Sequence, residues 1–144
     1  VLAAVAIQPT EAQALAEAGE LDAALAVIDE LAAHPRVVAI GETGLDYFRT
    51  EPGAGRDAQL AAFEAHIAIA KKHGLALQIH DRDAHDDIVA TLLRVGAPER
   101  TVFHCFSGDA VLAATLAENG WYASFAGTVT FKNATGLREA LEVM

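Results

Sequence analysis

The sequence predicts an α/β fold built on a parallel sheet, and two observations lead to that prediction. Short apolar runs of four to six residues alternate with longer segments in which apolar residues recur at helical spacing. The short runs lack the polar alternation of half-exposed strands, which is typical of strands covered on both faces. Repeated strand–helix units indicate a parallel sheet. A doubly wound sheet and an arc of a closed barrel both fit this pattern.

The first part of the chain predicts two strands and two helices. Residues 2–7 form the first apolar run, and residues 21–31 carry apolar side chains along one helical face before Pro35. The second strand covers residues 37–40. After a loop rich in Gly and Pro, residues 60–70 again trace one face of a helix.

The middle of the chain repeats the pattern. Gly74 is placed to end the second helix in a left-handed conformation, and the third strand follows at residues 75–79. A helix is predicted over residues 84–95. The fourth strand is predicted over residues 101–106.

The last part completes five strands and five helices. Ser107 or Asp109 is expected to cap a helix that closes at Gly120. The fifth strand covers residues 121–125, and a final helix covers residues 135–143. No linker or repeat divides the chain, so we expect residues 1–144 to form a single domain.

Composition narrows the functional classes. The chain has 144 residues, 53% of them apolar, and a formal net charge of -10. No apolar run is long enough to cross a bilayer, so we expect no membrane partner. The apolar start indicates a strand and not a signal peptide. Because an acidic surface repels phosphates, a polyanionic substrate would need local cations, and bound metal is the first candidate.

A lone cysteine, Cys105, excludes an internal disulfide and is typical of a reducing compartment, so we expect a cytoplasmic protein. Its neighbour His104 allows Cys105 to be considered as a nucleophile. The apolar stretch around it favours a buried, inert thiol.

Three side chains able to bind metal stand at the carboxyl ends of successive predicted strands: Glu42, His80 and His104. Sites in α/β folds are built at that edge of the sheet. One histidine at a strand end is more often a hydrogen-bonded core residue than a ligand. Three such residues on consecutive strands favour a mixed nitrogen and oxygen ligand set for Zn²⁺, Mn²⁺ or Mg²⁺.

Residues around these three extend the candidate site. Two glycines flank Glu42 and would let backbone approach a ligand closely. Asp46 is a candidate to orient a ligand, or to cap local backbone. Arg82, two residues after His80, could bind a phosphate or carboxylate, or could pair with Asp81 or Asp83.

Lys132 and Asn133 follow the fifth strand and could contact substrate, although a solvated loop is the simpler interpretation. The remaining histidines lie in or beside predicted helices and are expected at the surface; they are His34, His66, His73 and His85.

Four segments together resemble a known family. Residues 41–47 (GETGLDY), 79–84 (IHDRDA) and 103–108 (FHCFSG) resemble three signatures of the TatD family of metal-dependent deoxyribonucleases. Residues 125–131 resemble the strand that follows them in that family. The motifs occur in the family's order and with comparable spacing across nearly the whole chain.

The resemblance implies a (β/α)8 barrel of the TIM type, of which this chain would hold strands two to six. It implies one or two divalent metal ions and hydrolysis of DNA phosphodiesters, of the 3′–5′ exonuclease type. It makes Glu42 the catalytic, metal-bridging acid and His80 and His104 further ligands. Arg82 matches a family position near the substrate.

Three departures from the family pattern lead to further expectations. A first strand with a paired His motif and a late metal-binding Asp have no counterpart, and Gln8 stands where the family usually has His. A barrel of this kind needs about 250 residues. We therefore expect one partial barrel, truncated at both ends, with impaired activity. Its exposed strand edges could support a homo-oligomer.

Two rival functions stay open on the sequence. One is hydrolysis of a small ester, amide or nucleotide on the same barrel, because a scaffold does not fix its substrate. The other is a catalytically inert barrel fragment or a strand-swapped assembly. Tests of phosphodiesters against amides, and of metal binding, separate these alternatives.

Overall fold

Five parallel strands in chain order form one sheet in the computed structural model, which describes residues 1–144. Each strand pairs with the next one along the chain. A doubly wound sheet would reverse its strand order at a switch point. An unreversed order with right-handed crossovers instead places all the connecting helices on one face. The sheet is therefore an arc of a barrel.

Strands and helices alternate as the sequence predicted, except that two helices in succession separate the first strand from the second. The strands are β1 Ala3–Val5, β2 Val37–Asp46, β3 Ala76–Arg82, β4 Thr101–Phe103 and β5 Tyr122–Ala123. The helices are α1 Pro9–Glu17, α2 Leu21–Ala32, α3 Ala54–His73, α4 His85–Val95, α5 Ala110–Glu118 and α6 Thr135–Val143, with a 3-10 turn at Gly127–Thr130. No helix has the length and hydropathy that a membrane span requires.

Helix α1 is the one α-helix that the apolar pattern did not indicate. It is rich in alanine, and alanine gives only a weak apolar face even though Ala12 is fully buried. Pro9 occupies its first turn, where a missing N–H costs nothing. Gln8 stands at its N-cap position, is exposed, and accepts a hydrogen bond from the Thr10 hydroxyl at 3.0 Å.

Strand β2 continues six residues beyond its predicted end because glycine lets it approach β3 closely. Gly44 has φ +147°, and a Cβ atom built there would lie 2.0 Å from the carbonyl oxygen of His80. A Cβ on Gly41 would lie 2.4 Å from the Cβ of Gln78. The two glycines that flank Glu42 thus allow close contact with the neighbouring strand, and the close approach of backbone to a ligand stays a prediction.

Strand β4 ends three residues earlier than predicted. Cys105 has φ +49°, a left-handed conformation that takes the chain out of the sheet. Its side chain is exposed, so the expectation of a buried thiol was wrong. Further along, Asp109 caps α5 by accepting a hydrogen bond from the Leu112 amide, as one of the two predicted capping residues.

The core lies between the sheet and the helices, with α3 at its centre. It includes Phe63 and Ile67 of α3 against Leu77 and Ile79 of β3, each no more than 1% exposed. Gly74 ends α3 in the left-handed conformation that the sequence predicted. Packing of one α3 face against the strands therefore fixes the position of β2 and β3.

His66 belongs to this core, and its predicted surface position was wrong. It is 0% exposed; its Nδ1 donates to the Ala62 carbonyl at 2.6 Å and its Nε2 accepts from the Ile7 amide at 3.0 Å. Burial lowers the pKa of His66 because desolvation disfavours the charged ring. A neutral imidazole thus ties the end of β1 to α3, a role that helical spacing alone did not reveal.

The open face of the arc departs from the prediction that the strands are covered on both faces. Val38 of β2 and Tyr122 of β5 are 42% and 63% exposed, and Ala3 and Ala4 of β1 are also exposed. Because the crossover helices cover one face, side chains directed to the other have no second layer.

Candidate metal centre

Glu42 lies in an irregularity of the β2–β3 ladder. The register shifts between Ile40 and Thr43, so Gly41 and Glu42 fall outside the regular pairing. The peptide bond between these two residues is cis. Such bulges redirect a side chain, and they are frequent beside functional sites. Here the irregularity brings the Glu42 carboxylate to the side chain of His80.

His80 lies between two carboxylates. Its Nδ1 is 3.2 Å from Glu42 Oε1, and its Nε2 is 2.9 Å from Asp46 Oδ2. A neutral imidazole can donate only one hydrogen bond, whereas the charged ring can donate to both carboxylates. The three side chains are between 15% and 32% exposed, so a cation in solution can reach them.

The spacing of Glu42 and His80 suits two ligands of one ion. Protein nitrogen and oxygen ligands bind divalent transition metals at about 2.0–2.2 Å, which places neighbouring ligand atoms roughly 3–3.5 Å apart. The 3.2 Å between Glu42 Oε1 and His80 Nδ1 falls within that interval. Asp46 on the opposite ring nitrogen then has the usual position of a group that orients a histidine ligand.

No group of three or more His, Cys, Asp and Glu side chains is arranged so that it could hold a metal ion. The structure therefore brings together two of the three predicted ligands, with the third on the neighbouring strand. The residues fit a divalent metal in donor chemistry and in the spacing of that one pair.

His104 follows β4 directly and lies beside His80 in the sheet. Ile79 pairs with Phe103, and the His104 amide donates to the Ile79 carbonyl at 2.9 Å. The His104 ring lies with Nδ1 3.3 Å from Ser124 Oγ, and the same hydroxyl oxygen accepts from the Cys105 amide. Ser124 thus fixes one ring nitrogen and leaves Nε2 as the potential ligand atom.

Asp46 caps local backbone, which is one of the two roles that its sequence position suggested, and its role in orienting a ligand stays a prediction. Besides contacting His80, its Oδ1 accepts from the Phe48 amide at 3.2 Å. Its backbone is held by Gln59, a fully buried residue of α3. The sequence analysis missed Gln59, although a polar residue on the inward face of a helix is a recognisable signal.

Arg82 pairs with neither Asp81 nor Asp83. Its guanidinium carbon lies 3.7 Å from the ring centroid of Phe48. Lys132 is exposed, and its side chain makes no hydrogen bond or ion pair, so its contact with substrate stays a prediction.

A second polar cluster lies beside the centre. Asp81 accepts hydrogen bonds from the Ala84 amide and from His85 at the start of α4. The hydrogen bond with Asp81 raises the pKa of His85, against the opposing effect of its partial burial. Burial, followed by the hydrogen bond to Asp87, raises the pKa of the Tyr47 hydroxyl well above its usual range.

Comparisons with known proteins show which family the chain resembles. The family model described as TatD related DNase matches residues 1–144. A *Mycobacterium tuberculosis* protein named "uncharacterized metal-dependent hydrolase TatD" is 46% identical over 100% of this chain and 54% of its own length. The *Bacillus subtilis* "uncharacterized metal-dependent hydrolase YabD" is 44% identical over 82% of this chain and 46% of its own.

The fold has a solved counterpart. The crystal structure of YjjV, a TatD homologue from *Escherichia coli* K12, superposes with a TM-score of 0.78 at 27% identity, covering 92% of this chain and 57% of YjjV. The chain thus spans about half the length of the relatives it matches. The predicted family and the partial barrel are confirmed.

Proposed function

The chain belongs to the family of TatD-related DNases, and on that premise we propose that it supplies part of a divalent-metal centre for hydrolysis of DNA phosphodiesters. The relatives named above are metal-dependent hydrolases by name. The proposed reaction removes nucleotides from a 3′ end. The proposed setting is the reducing cytoplasm, which suits a single exposed thiol.

The observation that supports the metal centre best is the contact between Glu42 and His80. A carboxylate oxygen and an imidazole nitrogen 3.2 Å apart are two donors that Zn²⁺ or Mn²⁺ accepts. His104 on the adjacent strand is the proposed third donor through Nε2. Asp46 and Ser124 hold the second ring nitrogens of the two histidines, which fixes ring orientation.

Glu42, His80 and Arg82 have different roles in the proposed hydrolysis. A divalent ion bound here would polarise a phosphoryl oxygen and lower the pKa of a water molecule. Glu42 would supply negative charge to hold the ion, and His80 would be a second ligand whose ring orientation is fixed by Asp46. Arg82 offers a guanidinium to an anionic substrate on the same side of the strand as His80.

The metal centre is tested by calorimetric titration of the chain with Mn²⁺ and Zn²⁺. We expect micromolar binding that is lost in Glu42→Ala and His104→Ala, and retained in His34→Ala, which changes an exposed histidine outside the centre. Absence of binding by the parent chain supports the inert-fragment alternative.

The reaction is tested with a 5′-labelled single-stranded oligonucleotide and Mn²⁺. We expect labelled products that shorten stepwise from the 3′ end, abolished by Glu42→Ala and by chelation. Metal-dependent hydrolysis of small amides or esters without cleavage of the oligonucleotide would replace this proposal with the small-substrate hydrolase.

A further inference from the structure

A cavity of about 410 Å³ opens beside Asp46, and Glu42 is not among the residues that line it. It is lined by Thr10, Asp46, Phe48, Arg49, Thr50 and Arg82. Two arginines and the hydroxyl of Thr50 supply hydrogen-bond donors around one carboxylate, whereas the Thr10 hydroxyl already donates to Gln8.

The two guanidinium groups of this cavity have no protein acceptor. Neither Arg49 nor Arg82 forms an ion pair or a side-chain hydrogen bond. The chain has 20 acidic residues and only 10 basic ones, so carboxylate partners are abundant elsewhere. Two unpaired guanidiniums at one cavity therefore form a local positive site on an acidic protein.

The aromatic ring of Phe48 makes cation–π contacts with both Arg49 and Arg82. The guanidinium carbon of Arg82 lies 3.7 Å from the ring centroid, and that of Arg49 lies 5.2 Å from it. Cation–π contact orients a guanidinium without using its N–H donors. Those donors stay free to bind an anion in a bidentate manner, which phosphate oxygens accept.

The remaining lining residues suit the same ligand. Thr50 Oγ accepts a hydrogen bond from Gln59 Nε2 at 3.4 Å, which leaves the Thr50 hydroxyl proton free to donate. Asp46 is the one acidic group present. Its two oxygens face His80 and the Phe48 amide, so the carboxylate is already engaged.

We propose that this cavity binds a second phosphate of a nucleotide strand, next to the phosphate that is hydrolysed at the metal centre. This inference rests on the proposed function. His80 and Arg82 are two residues apart on one face of β3, which separates their Cα atoms by about 6.6 Å. The two sites are therefore adjacent and distinct, and the preferred substrate is an oligonucleotide with at least two phosphates.

The test measures binding of phosphorothioate thymidine dimers and trimers, which carry one and two internal phosphates and resist cleavage, in the presence of Mn²⁺. We expect the trimer to bind the parent chain about tenfold more tightly than the dimer, a gain of about 1.4 kcal/mol. Arg49→Gln and Arg82→Gln should each remove most of this preference. Each should also make the dependence of log affinity on log salt concentration less steep, reducing the magnitude of its negative slope by about 0.7, the value for one phosphate contact on a single strand.

Arg36→Gln is the matched control, because Arg36 is exposed and directly precedes β2, at the end of that strand opposite to Asp46. It should keep the trimer preference. If the Arg49 and Arg82 variants keep it as well, the second phosphate site is overturned, while dimer binding still supports the metal centre. If the parent binds neither oligonucleotide, the inference and the proposed function fail together.

Discussion

Gln59 holds Asp46 by both polar groups of its backbone: the Asp46 amide donates to Gln59 Oε1 at 2.9 Å, and Gln59 Nε2 donates to the Asp46 carbonyl at 3.1 Å. The side chain of Gln59 is buried in α3, whereas Asp46 ends β2 and contacts His80. A helix in the core thereby sets the position of a carboxylate at the candidate metal centre.

Replacement of Gln59 should affect both stability and metal binding. Gln59→Leu keeps the approximate volume but leaves the Asp46 amide and carbonyl without their partner, and each unsatisfied group costs about 1–3 kcal/mol. We expect a loss of about 2 kcal/mol or more in urea denaturation, with weaker metal binding by calorimetry. Gln13→Leu, which removes one contact of 3.3 Å to Gln59, should be nearly neutral. Equal effects of the two changes would argue against the role given to Gln59.

The carboxylate of Asp46 should matter for metal affinity although it is not proposed as a ligand. Asp46→Asn keeps the shape of the side chain but weakens its acceptance from His80, and loss of such an orienting partner typically lowers affinity about 10–100-fold. Titration with Zn²⁺ measures the change. Asp29→Asn changes a half-buried carboxylate paired with Lys72 and His73 outside the candidate centre; it is the control and should leave affinity unchanged.

Gly44 should tolerate no side chain. A methyl group there meets the His80 carbonyl oxygen at 2.0 Å, and φ +147° is a conformation that other residues rarely adopt. We expect Gly44→Ala to destabilise the fold by about 3 kcal/mol or more. Gly136→Ala in α6, where no atom lies within 4 Å, should remain within about 1 kcal/mol of the parent in the same denaturation experiment.

Two histidines should titrate on opposite sides of the ordinary value of about 6.5. Burial lowers the pKa of His66, and the hydrogen bond to Asp81 raises that of His85. The stability that neutral His66 contributes is fully present above about pH 6.5 and is lost as the pH falls toward the pKa of His66 in the folded protein. The stability that the His85–Asp81 pair contributes is fully present below about pH 6.5 and is lost as the pH rises through the pKa of His85 in the folded protein. NMR titration of the imidazole resonances measures both midpoints, and a His66 midpoint above that of His85 would contradict this assignment.

The edge of β1 should promote association of the chain. Ala3 and Ala4 are exposed on an edge strand, and such edges pair readily with other strands. We expect concentration-dependent oligomers in sedimentation velocity, reduced by Ala4→Lys because a charge on an edge opposes pairing. Ala90→Lys on the exposed side of α4 adds the same charge and should not change association. A parent chain that remains monomeric at high concentration would exclude the proposed homo-oligomer.

The sequence indicated the strands well because strands depend on local apolar patterns, and the same patterns suggested the candidate ligands, which stay predictions. Apolar runs located all five strands, and the polar residues after them pointed to Glu42, His80 and His104. The pattern placed the ends of β2 and β4 poorly, because Gly44 and Cys105 set those ends through backbone conformation and close contact between strands. Those causes appear only when the neighbouring strand is in place.

The supporting residues were harder to find than the candidate ligands. His66 and Gln59 occupy polar positions within a helix, where a surface location is the ordinary expectation. Their burial follows from contacts 59 and 13 residues away, with Ile7 and Asp46. A sequence reveals which side chains can bind a metal more readily than which side chains hold them in position.

The chain-order sheet also bears on how the centre forms during synthesis. Glu42 and His80 are 38 residues apart, and the strands that carry them are consecutive. Their contact needs only β2, α3 and β3, so it closes a short loop and does not depend on distant segments. A nascent chain can therefore bring this pair of side chains together once β3 has left the ribosome, and β4 then places His104, the third candidate ligand, on the neighbouring strand.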